Sequence, residues 1–383
     1  GRDTAVMLAA IQKCRVILGS ATPALESLHN CETGKFALVE LTVRYHETED
    51  AQIEIIDTIA ERKKRGMRGS FSLKLIDRIS ETLANGEQVM LFRSRRSFSP
   101  AVQCTECGYI PRCPHCNVSL SLHKSGRRQL LRMTSGQETG GQNGRIADGL
   151  PESPGTAAEE DTSGRLVCHH CGFSMPSTGK CPECGGTMRG LGSGTQKIEE
   201  EAAALFPQAR IARLDSDTAQ SATYGKETIR KFAIGEIDIL IGTQMVTKGF
   251  DFPTLSLVAV MQADTLLSVQ DFRADEKAVQ LLEQFRGRCG RRGRRGLFVI
   301  QTATPKHPVY DMLSEQQGIP GMKLLDERRQ FGFPPFTREI NIIIRDPMES
   351  RAERLATKLA GILESLGLGY DLTGPYSPAV DKI

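Results

Sequence analysis

At 383 residues, with 39% hydrophobic and 25% charged residues, the chain can fill two or three ordinary cores, and its composition excludes a wholly disordered protein. A net charge of +3, from 49 basic and 46 acidic residues, points to no partner by itself, and no apolar run is long enough to span a membrane. In chain order, residues 5–18 begin as a periodic apolar run (Val6, Met7, Leu8, Ile11) and end strand-like at Arg15–Leu18, before a turn at 19–23 and a helix from Ala24. Leu75, Ile76, Ile79 and Leu83 share one face of a helix predicted over 74–84, and Gln88–Phe92 reads as a buried strand. Further on, helices over 197–205, 224–234 and 277–285 alternate with strands over 209–214, 237–241, 255–261 and 297–301. That alternation predicts one parallel, doubly wound α/β sheet. Glu339–Arg345 reads as a strand and Glu349–Leu366 as an amphipathic helix.

Eight of the 11 cysteines form four Cys-x-x-Cys pairs: Cys104/Cys107, Cys113/Cys116, Cys168/Cys171 and Cys181/Cys184. Gly or Asn follows the second Cys of every pair, as a knuckle needs where its backbone turns toward thiolates. Zn²⁺ takes four soft ligands in a tetrahedron, so eight thiols imply two closed structural sites with no position for a catalytic water. A disulfide framework fits poorly, because Cys14, Cys31 and Cys289 stand apart and no secretory apolar segment occurs. Only five residues separate Cys107 from Cys113, too few for neighbouring pairs to wrap one ion. A nested arrangement fits better: Cys104/Cys107 with Cys181/Cys184, and Cys113/Cys116 with Cys168/Cys171, which leaves His115, His169 and His170 as bystanders. Met133–Gly164 has no aromatic residue and ends in the acidic run Glu159–Asp161, so it is expected to be a disordered insert.

Three segments carry candidate chemistry. Gly19–Ala24 sets hydroxyls and backbone N–H groups just after a strand-like run. Ile239–Pro253 runs from a strand through Thr243 and Gln244 to Lys248, Gly249 and Asp251, groups suited to a phosphodiester on one side and a ribose on the other. Gln284, Arg288 and Arg291 follow i, i+4, i+7 spacing within a Gly- and Arg-rich stretch, the chemistry of a γ-phosphate clamp.

Taken together these segments resemble the motor of superfamily 2 helicases, in particular the family of primosomal replication-restart helicases. Gly19–Ser27 is similar to motif III, Leu91–Ser99 to motif IV, Ile239–Pro253 to motif V and Gln284–Arg291 to motif VI; Asp271–Arg273 and Phe333–Arg338 also match. Arg286, Cys289 and Arg292 stand where the family carries small residues. The resemblance agrees with the nested cysteines. It implies a RecA-like doubly wound parallel-sheet domain interrupted by a two-zinc Cys-rich module, with the remnant of a first RecA-like domain and part of a C-terminal α+β domain. The boundaries expected are 1–42 for the remnant, 43–87 for a connecting segment, 88–103 with 189–305 for the second RecA-like domain, 104–188 for the zinc module and 306–383 for the C-terminal part.

The function implied is an ATP-dependent 3′→5′ DNA helicase of replication restart that binds stalled forks and initiates primosome assembly. Two structural Zn²⁺ are implied, with ATP and Mg²⁺ as substrate of the full-length protein. Arg288, Arg291 and Gln284 are the catalytic candidates. Gly249, Asp251, Ser20 and Thr22 are the nucleotide-side candidates, and Thr243, Gln244, Lys248, Arg95 and Arg96 the DNA-side ones. Partners implied are DNA forks, primosome proteins and single-stranded DNA-binding protein, in the cytoplasm and without a membrane. No P-loop sequence occurs, so this chain alone is expected not to hydrolyse ATP. The competing reading is a zinc-ribbon module that binds nucleic acid or protein without motor activity.

Overall fold

The computed structural model describes residues 1–41, 50–94, 101–123, 162–191, 195–215, 222–243, 252–290, 295–314, 322–367 and 369–376. The chain forms two units, one holding residues 1–96, 193–267 and 271–352, the other 97–192, 268–270 and 353–383.

The first unit opens with helices α1 (Arg2–Ile11) and α2 (Leu25–Glu32), then β1 (Gln52–Asp57), α3 (Thr58–Lys63), a hairpin of β2 (Met67–Arg68) and β3 (Phe71–Ser72), α4 (Leu73–Ala84) and β4 (Gln88–Arg93). Local chemistry sets these starts. Asp57 caps α3 by accepting from the backbone N–H groups of Ile59 and Ala60, and Ser72 caps α4 through Leu75. The chain then builds the second unit from β5 (Val102–Cys104), β6 (Ser121–His123), β7 (Ser163–Val167), β8 (Ser174–Thr178) and β9 (Met188–Gly190). It returns through α5 (Thr195–Leu205), β10 (Ile211–Leu214), α6 (Ala222–Ala233), β11 (Ile239–Gly242), β12 (Leu255–Met261), α7 (Asp264–Leu267), α8 (Ala274–Arg286), β13 (Leu297–Thr302), α9 (Pro308–Ser314) and α10 (Met322–Gln330), ending with α11 (Glu349–Leu366).

Six strands form one sheet in the order β1-β13-β12-β4-β11-β10, every pair parallel. Successive residues of β4 face opposite cores. Met90 and Phe92 join Val258, Val260, Phe232 and Phe285 on one face; Val89 and Leu91 join Leu75, Ile79, Ile198 and Ala202 on the other. Helices on both faces explain why these strands read as unbroken apolar runs. The buried Gln88 side chain closes the lower end, donating to the carbonyls of Phe232 (2.7 Å) and Ile237 (2.6 Å).

Several expectations need correction. Arg15–Leu18 and Glu339–Arg345 are not strands: neither has a ladder partner among the described residues, and Ile17 and Ile340 are 95% and 85% exposed. A β-like sequence forms a strand only when a neighbour satisfies its backbone. Residues 43–87, expected as a connection, supply the sheet's edge strand β1, paired with β13 from Gln52↔Leu297 to Asp57↔Thr302. The expected insert runs too far, because Gly164 pairs with Ser177 inside β7 and buried Thr162 donates to the carbonyl of Met188. The remainder of that insert lies outside the described residues.

Candidate zinc centres and motor residues

In the second unit the four Cys-x-x-Cys pairs fold as four copies of one turn. The first Cys amide donates to the carbonyl five residues on: Cys104 to Tyr109, Cys113 to Val118, Cys168 to Phe173 and Cys181 to Gly186, at 2.8–2.9 Å. The residue after the second Cys donates back to the first Cys carbonyl and takes a positive φ: Gly108 at 78°, Asn117 at 52°, Gly172 at 77° and Gly185 at 73°. Only glycine or asparagine adopts that conformation at little cost, which is why those residues recur there.

The turns pair as the spacing predicts. Cys104, Cys107, Cys181 and Cys184 form one cluster, and Cys113, Cys116, Cys168 and Cys171 the other; within each, all four Sγ atoms lie inside 4.8 Å of one another. The close contacts are 3.5 Å for Cys104–Cys184, 3.6 Å for Cys107–Cys181 and 3.5 Å for Cys113–Cys171. Zn–S bonds of about 2.3 Å in a tetrahedron put sulfurs about 3.8 Å apart, so both clusters fit one zinc each. The antiparallel pairs β5–β9 and β6–β7–β8 carry the knuckles and fix their separation.

Electrostatics within the clusters favour the ion. Burial pushes the Cys107 and Cys168 thiols up to about 12. Burial also pushes Cys171 up, but the Phe173 amide and the Cys116, Cys113 and Cys168 thiols outweigh it and take Cys171 down to about 7. Cys171 therefore loses its proton readily while Cys168 in the same cluster holds its own, and a divalent cation favours its release.

The motor candidates are only partly brought into view. Ser20 is exposed, and its Oγ accepts from the Thr22 amide at 3.1 Å. The Thr22 carbonyl accepts from Gln280 on α8. Thr243 is buried at the end of β11. Gln284 is exposed in the last turn of α8, but Arg288 is not on the helix: α8 stops at Arg286 with Gly287 as its cap, and Gly290 takes φ 71°. The helical i, i+4, i+7 alignment is therefore corrected to a helix end followed by a turn, a break that glycines at 287 and 290 explain. Arg95, Arg96, Gln244, Lys248, Gly249, Asp251 and Arg291 lie outside the described residues. The two unusual residues of this turn are accommodated locally. Arg286 donates to the Leu313 carbonyl at 2.6 Å and pairs with Glu283, while Cys289 is buried, which drives its thiol upward.

Sequence reasoning missed three polar groupings. Asp264 accepts from Thr302 (2.9 Å), Thr304 (2.8 Å) and the Ala303 amide (2.9 Å), locking α7 to the end of β13. Arg93, at the end of β4, is 2% exposed and donates to Gln262 at 2.6 Å; burial lowers its guanidinium to about 10 against the opposing pull of Glu201. The third is an ionic node. Arg328 on α10 pairs with Glu276 on α8 and, at 3.1 Å, with Glu26 on α2, and Phe272 stacks on Phe333 beside it at 4.6 Å. The signal for this node was the matched Asp271–Arg273 and Phe333–Arg338 segments, to which no role had been attached.

Known proteins bear on this arrangement directly. Residues 192–293 match the helicase conserved C-terminal domain, and residues 113–129 with 162–176 match the PriA DNA helicase Cys-rich region. The replication restart protein PriA of Bacillus subtilis is 33% identical over 100% of this chain and 43% of its own length. The chain is a homologue of PriA along its whole length. PriA of Rickettsia conorii is 32% identical over 100% of the chain and 53% of its own length, and PriA of Treponema pallidum 34% over 100% and 52%. The chain thus spans about half the length of the curated relatives it matches. Among solved structures, the Pyrococcus furiosus Hef helicase domain is similar at 14% identity, covering 67% of this chain and 30% of its own, with a TM-score of 0.28. This chain has a RecA-like parallel sheet with a Cys-rich zinc-binding module between β4 and α5.

Proposed function

We propose that the full-length protein is an ATP-dependent 3′→5′ DNA helicase of replication restart, acting on stalled forks in the cytoplasm and initiating primosome assembly. The observation that carries this reading is two Cys₄ clusters folded as an insertion within a parallel motor sheet, in a chain homologous to PriA throughout. The two units support a division into a zinc module near 104–188 and a motor domain, with β1 added to the motor side.

ATP with Mg²⁺ would supply the transferable phosphoryl group. Arg288, in the turn after α8, and Arg291, three residues further along the sequence, would face that group's developing charge, with Gln284 in the last turn of the helix. Gly249 and Asp251 would line the nucleotide side. Thr243, Gln244 and Lys248, after β11, would meet the DNA backbone, and Arg95 and Arg96, after β4, would do the same from the neighbouring strand end. Ser20 and Thr22 would pass the state of the nucleotide to α2 and α8. The closed clusters leave zinc no substrate position, so its part is to hold a DNA- and protein-contacting module in shape; primosome proteins and single-stranded DNA-binding protein are the partners proposed for it.

The test is kinetic. In the full-length protein Arg291→Ala should lower DNA-stimulated ATP turnover by roughly 10³-fold while fork affinity stays within a few-fold. Lys248→Ala should weaken DNA binding and reduce its salt dependence by about one phosphate contact. If Arg291→Ala mainly weakens DNA binding, the Arg-rich turn is a backbone-binding patch and the assignment falls.

A further inference from the structure

The ionic node of the first unit joins three segments far apart in sequence. Arg328 is 3% exposed at its side chain and Glu276 8%. The guanidinium donates to Glu276 on α8, to Glu26 on α2 at 3.1 Å, and to the Pro334 carbonyl at 3.2 Å. Glu276 in turn accepts the backbone N–H of Leu25 at 3.0 Å, the first residue of α2. Phe272 lies 5.0 Å beneath the Arg328 guanidinium. Burial pushes the Glu26 carboxyl up, but its own backbone N–H, Arg2 and Arg328 outweigh this and hold it below the usual carboxylate range.

The two joined helices each adjoin a candidate catalytic segment. Helix α2 begins directly after Gly19–Ala24, and α8 carries Gln284 in its last turn and leads into the turn bearing Arg288. The planar guanidinium serves these acceptors from two nitrogens held in a fixed fork, whereas an ammonium's three donors all radiate from one atom. We propose that Arg328 is a positioning residue for the motor: it binds α2, α8 and α10 into one mechanical body, so that the segments before α2 and after α8 respond together to nucleotide and DNA. This rests on the helicase reading above. It places the device on α10, beyond the matched helicase domain and outside every residue proposed to touch substrate.

Two measurements test it. Hydrogen exchange on the present chain reads the mechanical half. Arg328→Gln should speed exchange of the α2 amides by at least about tenfold while those of β4 stay unchanged. Glu26→Gln, at the half-buried end of the node, should act in the same direction with smaller amplitude, and it serves if Arg328→Gln fails to fold. Unchanged α2 exchange in Glu26→Gln, and in Arg328→Gln where it folds, overturns the proposal.

Steady-state kinetics on the full-length protein reads the catalytic half. Arg328→Gln, or Glu26→Gln in its place, should lower DNA-stimulated kcat, by about tenfold for the Arg328 change, with the KM for ATP and the DNA affinity within about threefold. Arg328→Lys should fall between wild type and Arg328→Gln. Wild-type protein without DNA-stimulated turnover overturns the helicase reading, and the catalytic half of this inference with it. Stimulation that is normal in wild type and survives intact in the variants overturns this inference alone.

Discussion

Two adjacent glycines of the outer zinc cluster should respond oppositely to the same substitution. Gly185 has φ 73° and nothing within 4 Å of the place a Cβ would occupy. Gly185→Ala therefore meets only backbone strain, about 1–2 kcal/mol, and should keep both zinc ions. At Gly186 a Cβ would sit 2.6 Å from Glu106 Cγ, 2.9 Å from Glu106 Cβ and 3.1 Å from Cys104 Sγ. A carbon–sulfur contact relaxes near about 3.6 Å, so Cys104 Sγ would have to retreat by about 0.5 Å, more than twice the roughly 0.2 Å a zinc–ligand distance tolerates. Retreat in the other direction is blocked, because the Cys181 amide donates to the Gly186 carbonyl at 2.8 Å. Gly186→Ala should thus lose the outer zinc and keep the inner one. Elemental analysis should fall from two zinc per chain to one, and a thiol titration under native conditions should gain the four outer cysteines. Cys113→Ser is the reciprocal control, emptying the inner cluster. Two zinc in Gly186→Ala, with the wild-type rate of loss to a chelator, would refute the packing argument.

Acid should weaken the first unit in a defined way. Glu26 and Asp271 are both held below the ordinary carboxylate range. For Asp271, burial pushes upward, and the Lys277 ammonium and Arg273 amide outweigh it. Their contribution is therefore complete above about pH 5 and is lost as pH falls through the folded values, and denaturant midpoints measured in Glu26→Gln and Asp271→Asn should flatten over that window. Gln88→Leu strips partners from the Phe232 and Ile237 carbonyls, in the buried lower end of the sheet, and from the hydroxyl of exposed Thr254. It should lower unfolding stability by about 3 kcal/mol in urea, and a change under about 1 kcal/mol would mean that water replaces the side chain.

Strands β4, β11, β12 and β13 were legible because a sheet covered on both faces writes itself as continuous apolar sequence. The knuckles were legible because Cys-x-x-Cys followed by Gly or Asn leaves few conformations. What stayed hidden depends on partners distant in the chain. Strand β1 alternates Ile53, Ile55 and Ile56 with Glu54, and its pairing with β13 is 245 residues away in sequence, from Gln52 to Leu297. Arg15–Leu18 has strand chemistry with no neighbour, so the same propensity gives exposed chain. The node around Arg328 showed in the sequence only as the matched Asp271–Arg273 and Phe333–Arg338 segments, since each charged residue alone reads as helix surface. Only their convergence from α2, α8 and α10 shows that they are buried together.

The way the zinc unit is spliced in also bears on the order of assembly. Strand β4 is central in the sheet, yet its neighbours β11 and β12 emerge only after the Cys-rich unit has been made. The chain leaves along β5 and returns along β9, paired from Val102↔Gly190 to Cys104↔Met188, with the Leu191 amide bonded to the Ala101 carbonyl. Once the outer cluster closes on this stem, the 145 residues between Arg93 and Ile239 shrink to an effective connection of about 55. The closure entropy of the motor sheet then falls by about 1 kcal/mol. Zinc thereby serves a sheet that contains none of its ligands: metal capture sets when β4 can find its partners, and a zinc-starved chain would present a strand buried at every residue unpaired for longer.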